Sequence, residues 1–125
     1  MVGSVPTILI VDDVKTNLLI LRNILEKEGF RVLEADNGIS ARESALANVP
    51  DLILLDILMP GEDGFETCSK LKAESATSGI PVLFITALSD IDKKLKGFEL
   101  GAVDYITKPF ENEDLVKRIK KALSK

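Results

Sequence analysis

Residues 52–64 read LILLDILMPGEDG. Four apolar residues run into a single carboxylate, Asp56, and three more lead to a turn at Pro60-Gly61. A short, unbroken apolar run is the pattern of a strand covered on both faces, as in a parallel sheet. Aspartate is seldom buried without a partner. What else the chain brings to Asp56 therefore decides both the fold and the chemistry.

Two further runs have the same character, TILIV (7–11) and VLFI (82–85). RVLEA (31–35) and DYIT (104–107) are more polar and suit edge positions. Amphipathic stretches separate the runs. Val14, Leu18, Leu21 and Leu25 recur at helical spacing, with the first three expected to face the core, and Gly29 supplies a stop. Ser40 to Ala47 reads as a short second helix closed by Pro50. Phe65, Cys68 and Leu71 mark a third helix, and Ile91, Leu95 and Phe98 a fourth. A fifth, with Leu115, Ile119, Ala122 and Leu123, begins at Asn112 with acidic residues in its first turn. Regular βαβ alternation implies an α/β fold with a doubly wound parallel sheet, right-handed crossovers and helices on both faces. For five strands the expected order is the flavodoxin-like 2-1-3-4-5, and ligands then sit beyond the carboxyl ends of strands 1 and 3.

At 125 residues the chain is expected to be one domain (1–125, core about 6–123). With 46% hydrophobic and 29% charged residues it has the balance of an ordinary globular protein. No apolar run approaches the roughly 20 residues that span a bilayer, so no membrane association is expected. The MVGSVP start lacks the basic region of a signal peptide. One cysteine, Cys68, excludes a disulfide framework and suits a reducing, cytoplasmic setting; its spacing with Phe65 and Leu71 makes it a small core residue. The net charge of −4 is uneven: residues 1–89 hold 7 basic and 13 acidic residues, residues 90–125 hold 9 and 7. That argues against direct nucleic-acid binding, and the KRIKKALSK end reads as a solvated helix face. The absence of histidine removes Ser-His and Cys-His nucleophiles, His-ligated zinc and any phosphohistidine donor role.

The strand ends carry the chemistry. Strand 1 ends in Asp12-Asp13, strand 3 in Asp56 and strand 4 in Thr86, while strand 5 runs into Lys108-Pro109. Singly, these are helix caps, turn residues and surface amines. Together, in the expected order, they place three carboxylates at one point with a hydroxyl and an ammonium opposite. Such carboxylates need a counter-charge. An all-oxygen donor set favours a hard divalent ion such as Mg²⁺, which is typically completed by phosphate oxygens.

ILIVDD, LILLDILMPGEDG, VLFITA and DYITKPF, at their separations, closely resemble the receiver domain of two-component response regulators, the family of the chemotaxis response regulator, over about residues 6 to 123. That family has the same strand order. The resemblance implies a phosphorylation-activated signalling module rather than a turnover enzyme, with Mg²⁺-dependent self-phosphorylation and self-dephosphorylation as its only chemistry. Asp56 would be the phosphoacceptor. Asp13 would be the main direct Mg²⁺ ligand, Asp12 would act largely through water, and Leu58 would offer its backbone carbonyl. Lys108, oriented by a cis Lys108-Pro109 bond, would contact a phosphoryl oxygen, with Thr86 and the Ala87 amide holding the others. On phosphorylation Thr86 would move toward the phosphate and Tyr105, otherwise a half-buried edge aromatic, would turn inward, repacking the helix 4–strand 5–helix 5 face. The implied partners are a sensor histidine kinase or histidine phosphotransfer protein, an output protein or domain on that face, and a phosphorylation-dependent second copy. Lys15, Asn17 and Arg22 are candidates for the kinase contact.

Two alternatives stand beside this. An aspartyl-phosphate phosphatase usually carries a second Asp two residues after the nucleophile, where this chain has Leu58. A receiver-like docking module that is never phosphorylated usually lacks one of the acidic, Thr or Lys positions, and here all are present. Glu62 stands where the family commonly has an apolar residue, so the packing of that loop is expected to differ. Leu58 and Leu88, each two residues beyond a site residue, are expected to flank the path of attacking water.

Overall fold

A computed structural model describes residues 5–124; most of the MVGSVP start, on which the expectation about a leader rests, lies outside them. Strands and helices alternate as β1 (Thr7–Val11), α1 (Lys15–Lys27), β2 (Arg31–Ala35), α2 (Gly38–Asn48), β3 (Leu52–Leu55), α3 (Gly64–Ala73), β4 (Val82–Thr86), α4 (Ile91–Glu99), β5 (Asp104–Thr107) and α5 (Asn112–Leu123). The five strands form one parallel sheet in the order β2-β1-β3-β4-β5. The three unbroken apolar runs are the three central strands, and the two more polar ones are the edges.

Period-2 alternation sends each central strand's side chains to two cores. On one face Leu9, Val11, Ile53, Leu55, Val82 and Phe84 pack against Ala41 and Ala45 of α2 and Phe65, Cys68 and Leu71 of α3. On the other, Ile8, Ile10, Leu52, Leu54, Leu83 and Ile85 meet Leu18, Leu21 and Leu25 of α1 and Leu115 and Ile119 of α5. Each fully buried Leu, Ile or Phe contributes about 1.5–3 kcal/mol of transfer free energy, so this two-sided burial fixes the sheet as a rigid base for its loops. Cys68 is buried as expected, and burial pushes its thiol up to about 11.

Helix boundaries differ from the sequence reading where caps decide them. The second helix begins at Gly38, because the Asn37 side chain accepts from the Ser40 N–H, and it runs to Asn48 before Val49 turns left-handed (φ 43°) ahead of Pro50. Asn112 is the first helical residue of α5, but the capping position is Glu111, which makes no side-chain cap bond. Val14 is 46% exposed rather than core-facing: it holds the extended N-cap position of α1, so helical spacing does not yet govern it. Ile91, Leu95 and Phe98 also face outward. The buried residue of α4 is Gly97, where an added Cβ would come 3.1 Å from the Phe84 ring. Close approach through that glycine turns the apolar stripe of α4 to the surface.

Candidate functional site

Register builds the site. Val11 and Leu55 are direct partners in the β1–β3 pair, and the Asp56 N–H donates to the Val11 carbonyl at 3.1 Å. Asp12 and Asp56 therefore leave adjacent strands at the same level. Thr86 and Thr107 are partners in β4–β5, and the Lys108 N–H donates to the Thr86 carbonyl at 2.8 Å. The next peptide bond, Lys108-Pro109, is cis. Lys108 reaches across the sheet end and its Nζ donates to Asp12 Oδ2 at 2.9 Å and to Asp56 Oδ2 at 3.2 Å.

Both carboxylates are deeply placed, Asp12 at 1% exposure and Asp56 at 6%. Asp12 Oδ1 accepts from the Val14 N–H, and Oδ2 also accepts from Asn17 Nδ2 at 3.1 Å. Asp56 Oδ1 accepts from the Leu58 N–H at 3.1 Å. Burial holds the Asp56 carboxyl above the usual range; the Lys108 charge and the Leu58 N–H oppose this, and Asp12 adds to it. For Lys108 burial works downward, but the bond to Asp12 and the charges of Asp56 and Asp12 outweigh it and hold the ammonium above its ordinary value. The result is an electrostatically strained pair of carboxylates under one cation.

Thr86 is fully buried, and its hydroxyl accepts only a long 3.4 Å bond from the Leu88 N–H among the described residues. Tyr105 is buried rather than half-buried: its ring lies 6.0 Å from Phe84 and its hydroxyl donates to the Leu88 carbonyl at 2.8 Å. Burial raises its phenol pKa, with Asp90 and Asp56 adding to that. Ala87 is exposed and Leu58 is 51% exposed at the mouth of the site.

Of the three expected carboxylates two converge. Asp13 is exposed and has no side-chain hydrogen bond or ion pair among the described residues, where no cluster of three acidic, histidine or cysteine side chains occurs. Consecutive side chains at a strand end diverge, so the second Asp turns out as the first turns in. The carboxylates brought together, Asp12 and Asp56, offer only oxygen donors. Asp56 is an anion that burial and Asp12 disfavour. Such a set fits a hard divalent cation.

Two features escaped the sequence reading. Asn17 is tied to Asp12 and so belongs to the site, and Arg22 is committed to Glu34 and Glu26; of the three kinase-contact candidates Lys15 alone has no side-chain bond among the described residues. The side chain of Glu62, only 8% exposed, turns inward and accepts from Arg42 Nε and Nη2 (3.0 and 2.9 Å), Lys70 Nζ (2.9 Å) and Thr67 Oγ1 (2.7 Å). The signal for it was an acidic residue in an otherwise apolar loop position, with Arg42 one helix away. The Arg42 bond, opposed by burial and aided by Lys70 and Thr67, lowers the Glu62 carboxyl from 4.5 to about 2. Because its folded pKa is depressed, its contribution is complete above pH 4.5 and is lost as pH falls toward 2. We expect Glu62→Gln to cost about 1–2 kcal/mol near pH 6, a value reduced by solvent screening of Arg42 and Lys70. That gap should narrow in urea melts taken at successively lower pH; a gap independent of pH would refute it.

A family model described as response regulator receiver domain matches residues 8–120. The DNA-binding dual master transcriptional regulator RpaA of Synechocystis is 42% identical over 118 residues, 94% of this chain and 49% of RpaA. The chain thus spans about half the length of such relatives. Protein PilH of Pseudomonas aeruginosa is 42% identical over 117 residues, 94% of this chain and 97% of PilH. Among solved structures, the receiver domain of the sensor histidine kinase PA1611 from Pseudomonas aeruginosa superposes with a TM-score of 0.90 at 26% identity, covering 98% of this chain and 100% of that one; it carries a magnesium ion in its active-site cleft.

Proposed function

Since the chain belongs to the response regulator receiver domain family, we propose that Asp56 accepts a phosphoryl group from a histidine kinase or histidine phosphotransfer protein and that the modified domain signals through α4, β5 and α5. The observation that carries this reading is Lys108 bridging Asp12 and Asp56 at the ends of adjacent strands. Receiver domains are signalling modules, and the chemistry asked of this chain is a single transfer. One Asp56 oxygen attacks the donor phosphorus. The O–P bond forms as the P–N bond to the donor imidazole breaks, and that nitrogen keeps the electron pair.

Asp13, Asp56 and the Leu58 carbonyl would hold Mg²⁺ directly, with Asp12 acting largely through water, and the ion would supply neutralising charge for the phosphoryl oxygens. Lys108 exchanges its bond to Asp56 for one to a phosphoryl oxygen. Thr86, weakly held where it stands, offers its hydroxyl to a second oxygen, and the Ala87 N–H donates to the same group. Movement of Thr86 disturbs Leu88, whose carbonyl holds Tyr105, and so reaches the exposed apolar stripe of α4. That face then takes an output protein or domain, or a second copy of the chain; this domain itself makes no nucleic-acid contact.

Incubation with Mg²⁺ and acetyl phosphate should add one phosphoryl group by intact mass. The adduct should require Mg²⁺ and vanish in Asp56→Asn; an adduct that persists in that variant overturns the assignment. In this reading Leu58 and Leu88, each two residues beyond a site residue, shield the phosphoryl group from attacking water. Replacing both with Asn should shorten the phosphoryl lifetime, measured as decay of the adduct, and an unchanged decay removes them from that role.

A further inference from the structure

Asp56 is followed by a loop, residues 57–63, whose bonds are almost all local. The Met59 and Gly64 N–H groups donate to the Ile57 carbonyl, the Leu58 N–H to Asp56, and Asp63 and Glu66 form a capping box within the start of α3. These fix the loop's curvature, and Ile57 and Met59, buried in the core beside Phe65, anchor its base by packing, while the exposed Pro60-Gly61 turn beyond them has no such anchor. Among the described residues its polar tie to α2 is Glu62, gripped in a bidentate way by Arg42 from 20 positions earlier. Gly38 makes room for that grip: a Cβ there would stand 2.6 Å from Glu62 Oε2 and closer still to Thr67 Oγ1.

An apolar side chain would fill the same space by volume. A carboxylate with four directed donors, one pair of them the planar Arg42 fork, fixes the loop by direction. The loop so fixed includes Leu58, whose N–H donates to Asp56 and whose carbonyl the receiver reading assigns to the cation. We propose that Glu62 is a positioning residue for the Asp56 site, locking the loop that carries Leu58 to α2 and α3 so that the divalent-cation donors are held ready. The proposal rests on the receiver reading above.

The test measures Mg²⁺ binding by calorimetry on the full chain, alongside the adduct assay and amide NMR spectra taken without metal. Glu62→Ala should weaken the Mg²⁺ Kd on the order of tenfold, the scale found for groups that orient metal ligands. It should also shift the Leu58 and Asp56 amide signals before any metal is added. Arg42→Met, which leaves Glu62 and α3 in place, should reproduce part of both effects, and it serves if Glu62→Ala folds poorly. Ile119→Val, a cavity variant in the opposite core, should lose stability and keep the wild-type Kd. Wild-type Mg²⁺ affinity and unshifted amides in Glu62→Ala and Arg42→Met overturn the proposal while the receiver reading stands. Failure of the wild-type chain to bind Mg²⁺ or take a phosphoryl group overturns both.

Discussion

Gly64→Ala should lower the melting temperature by roughly 10 °C, from a loss of about 3 kcal/mol. Gly64 is the first residue of α3, directly after its Asp63 cap, and its N–H donates to the Ile57 carbonyl at 3.0 Å. A Cβ at this place would run into the Asp56 carbonyl oxygen and stand 2.6 Å from Ile57 Cα. Both are backbone atoms of the segment leaving β3, so no rotamer change relieves the overlap; either α3 moves out or the Asp56 peptide tilts. The contrast is Gly61, which has φ of 76° but open space where a Cβ would stand. There Ala meets only the backbone penalty, about 1 kcal/mol. A thermal melt of the two variants distinguishes the causes, and a Gly64→Ala protein as stable as Gly61→Ala would show that the loop yields freely. The same overlap reaches the carboxylate's own residue, so the folded fraction of Gly64→Ala should also accept phosphoryl groups more slowly.

Lys108→Ala should destabilise the metal-free protein by about 2–3 kcal/mol at pH 7, toward the lower end of what breaking a buried pair costs because Lys108 keeps partial contact with water. Its removal leaves Asp12 and Asp56 facing each other with no cation. The sign of the pH dependence follows from Asp56. Its folded pKa lies above the unfolded value, so protonation favours the folded state. Stability from this group is present at low pH and declines as pH rises through the interval between the two values. Without Lys108, the largest influence opposing burial is gone and the interval widens upward. Urea melts of Lys108→Ala should therefore recover toward wild type on mild acidification, and adding Asp56→Asn should restore much of the lost stability at pH 7. A variant whose deficit is the same at pH 5 and pH 7 would mean that Lys108 acts through packing of its stem rather than charge.

The sheet was legible because its central strands are apolar without interruption, a pattern few other environments tolerate. The site followed from it, since Asp12, Asp56, Thr86 and Lys108 are each the first polar residue beyond a strand or its last position. What the sequence hid depends on geometry between elements. Ile91, Leu95 and Phe98 have the period of a core-facing helix, and only the approach of Gly97 to Phe84 and Tyr105 decides that they face outward. Val14 continues the spacing of α1 but precedes its first turn. Asp12 and Asp13 are equivalent as letters, and the direction of the chain leaving β1 separates a buried carboxylate from an exposed one. Glu62 looked like a misfit because its partners, Arg42, Thr67 and Lys70, come from two helices whose relative placement no local pattern encodes.

The pairing of Val11 with Leu55 has a kinetic side. The two carboxylates under Lys108 are 44 residues apart along the chain, and a parallel neighbour cannot form until the intervening strand and helices have been looped aside. No nascent fragment that stops short of Lys108, and no partly folded species with β1 and β3 separated, can display the acceptor beside Asp12 and their shared counter-charge. Chemical competence thus arrives late and all at once, with closure of the middle of the sheet. The rate at which refolding protein gains the ability to be labelled by acetyl phosphate would report on that closure directly.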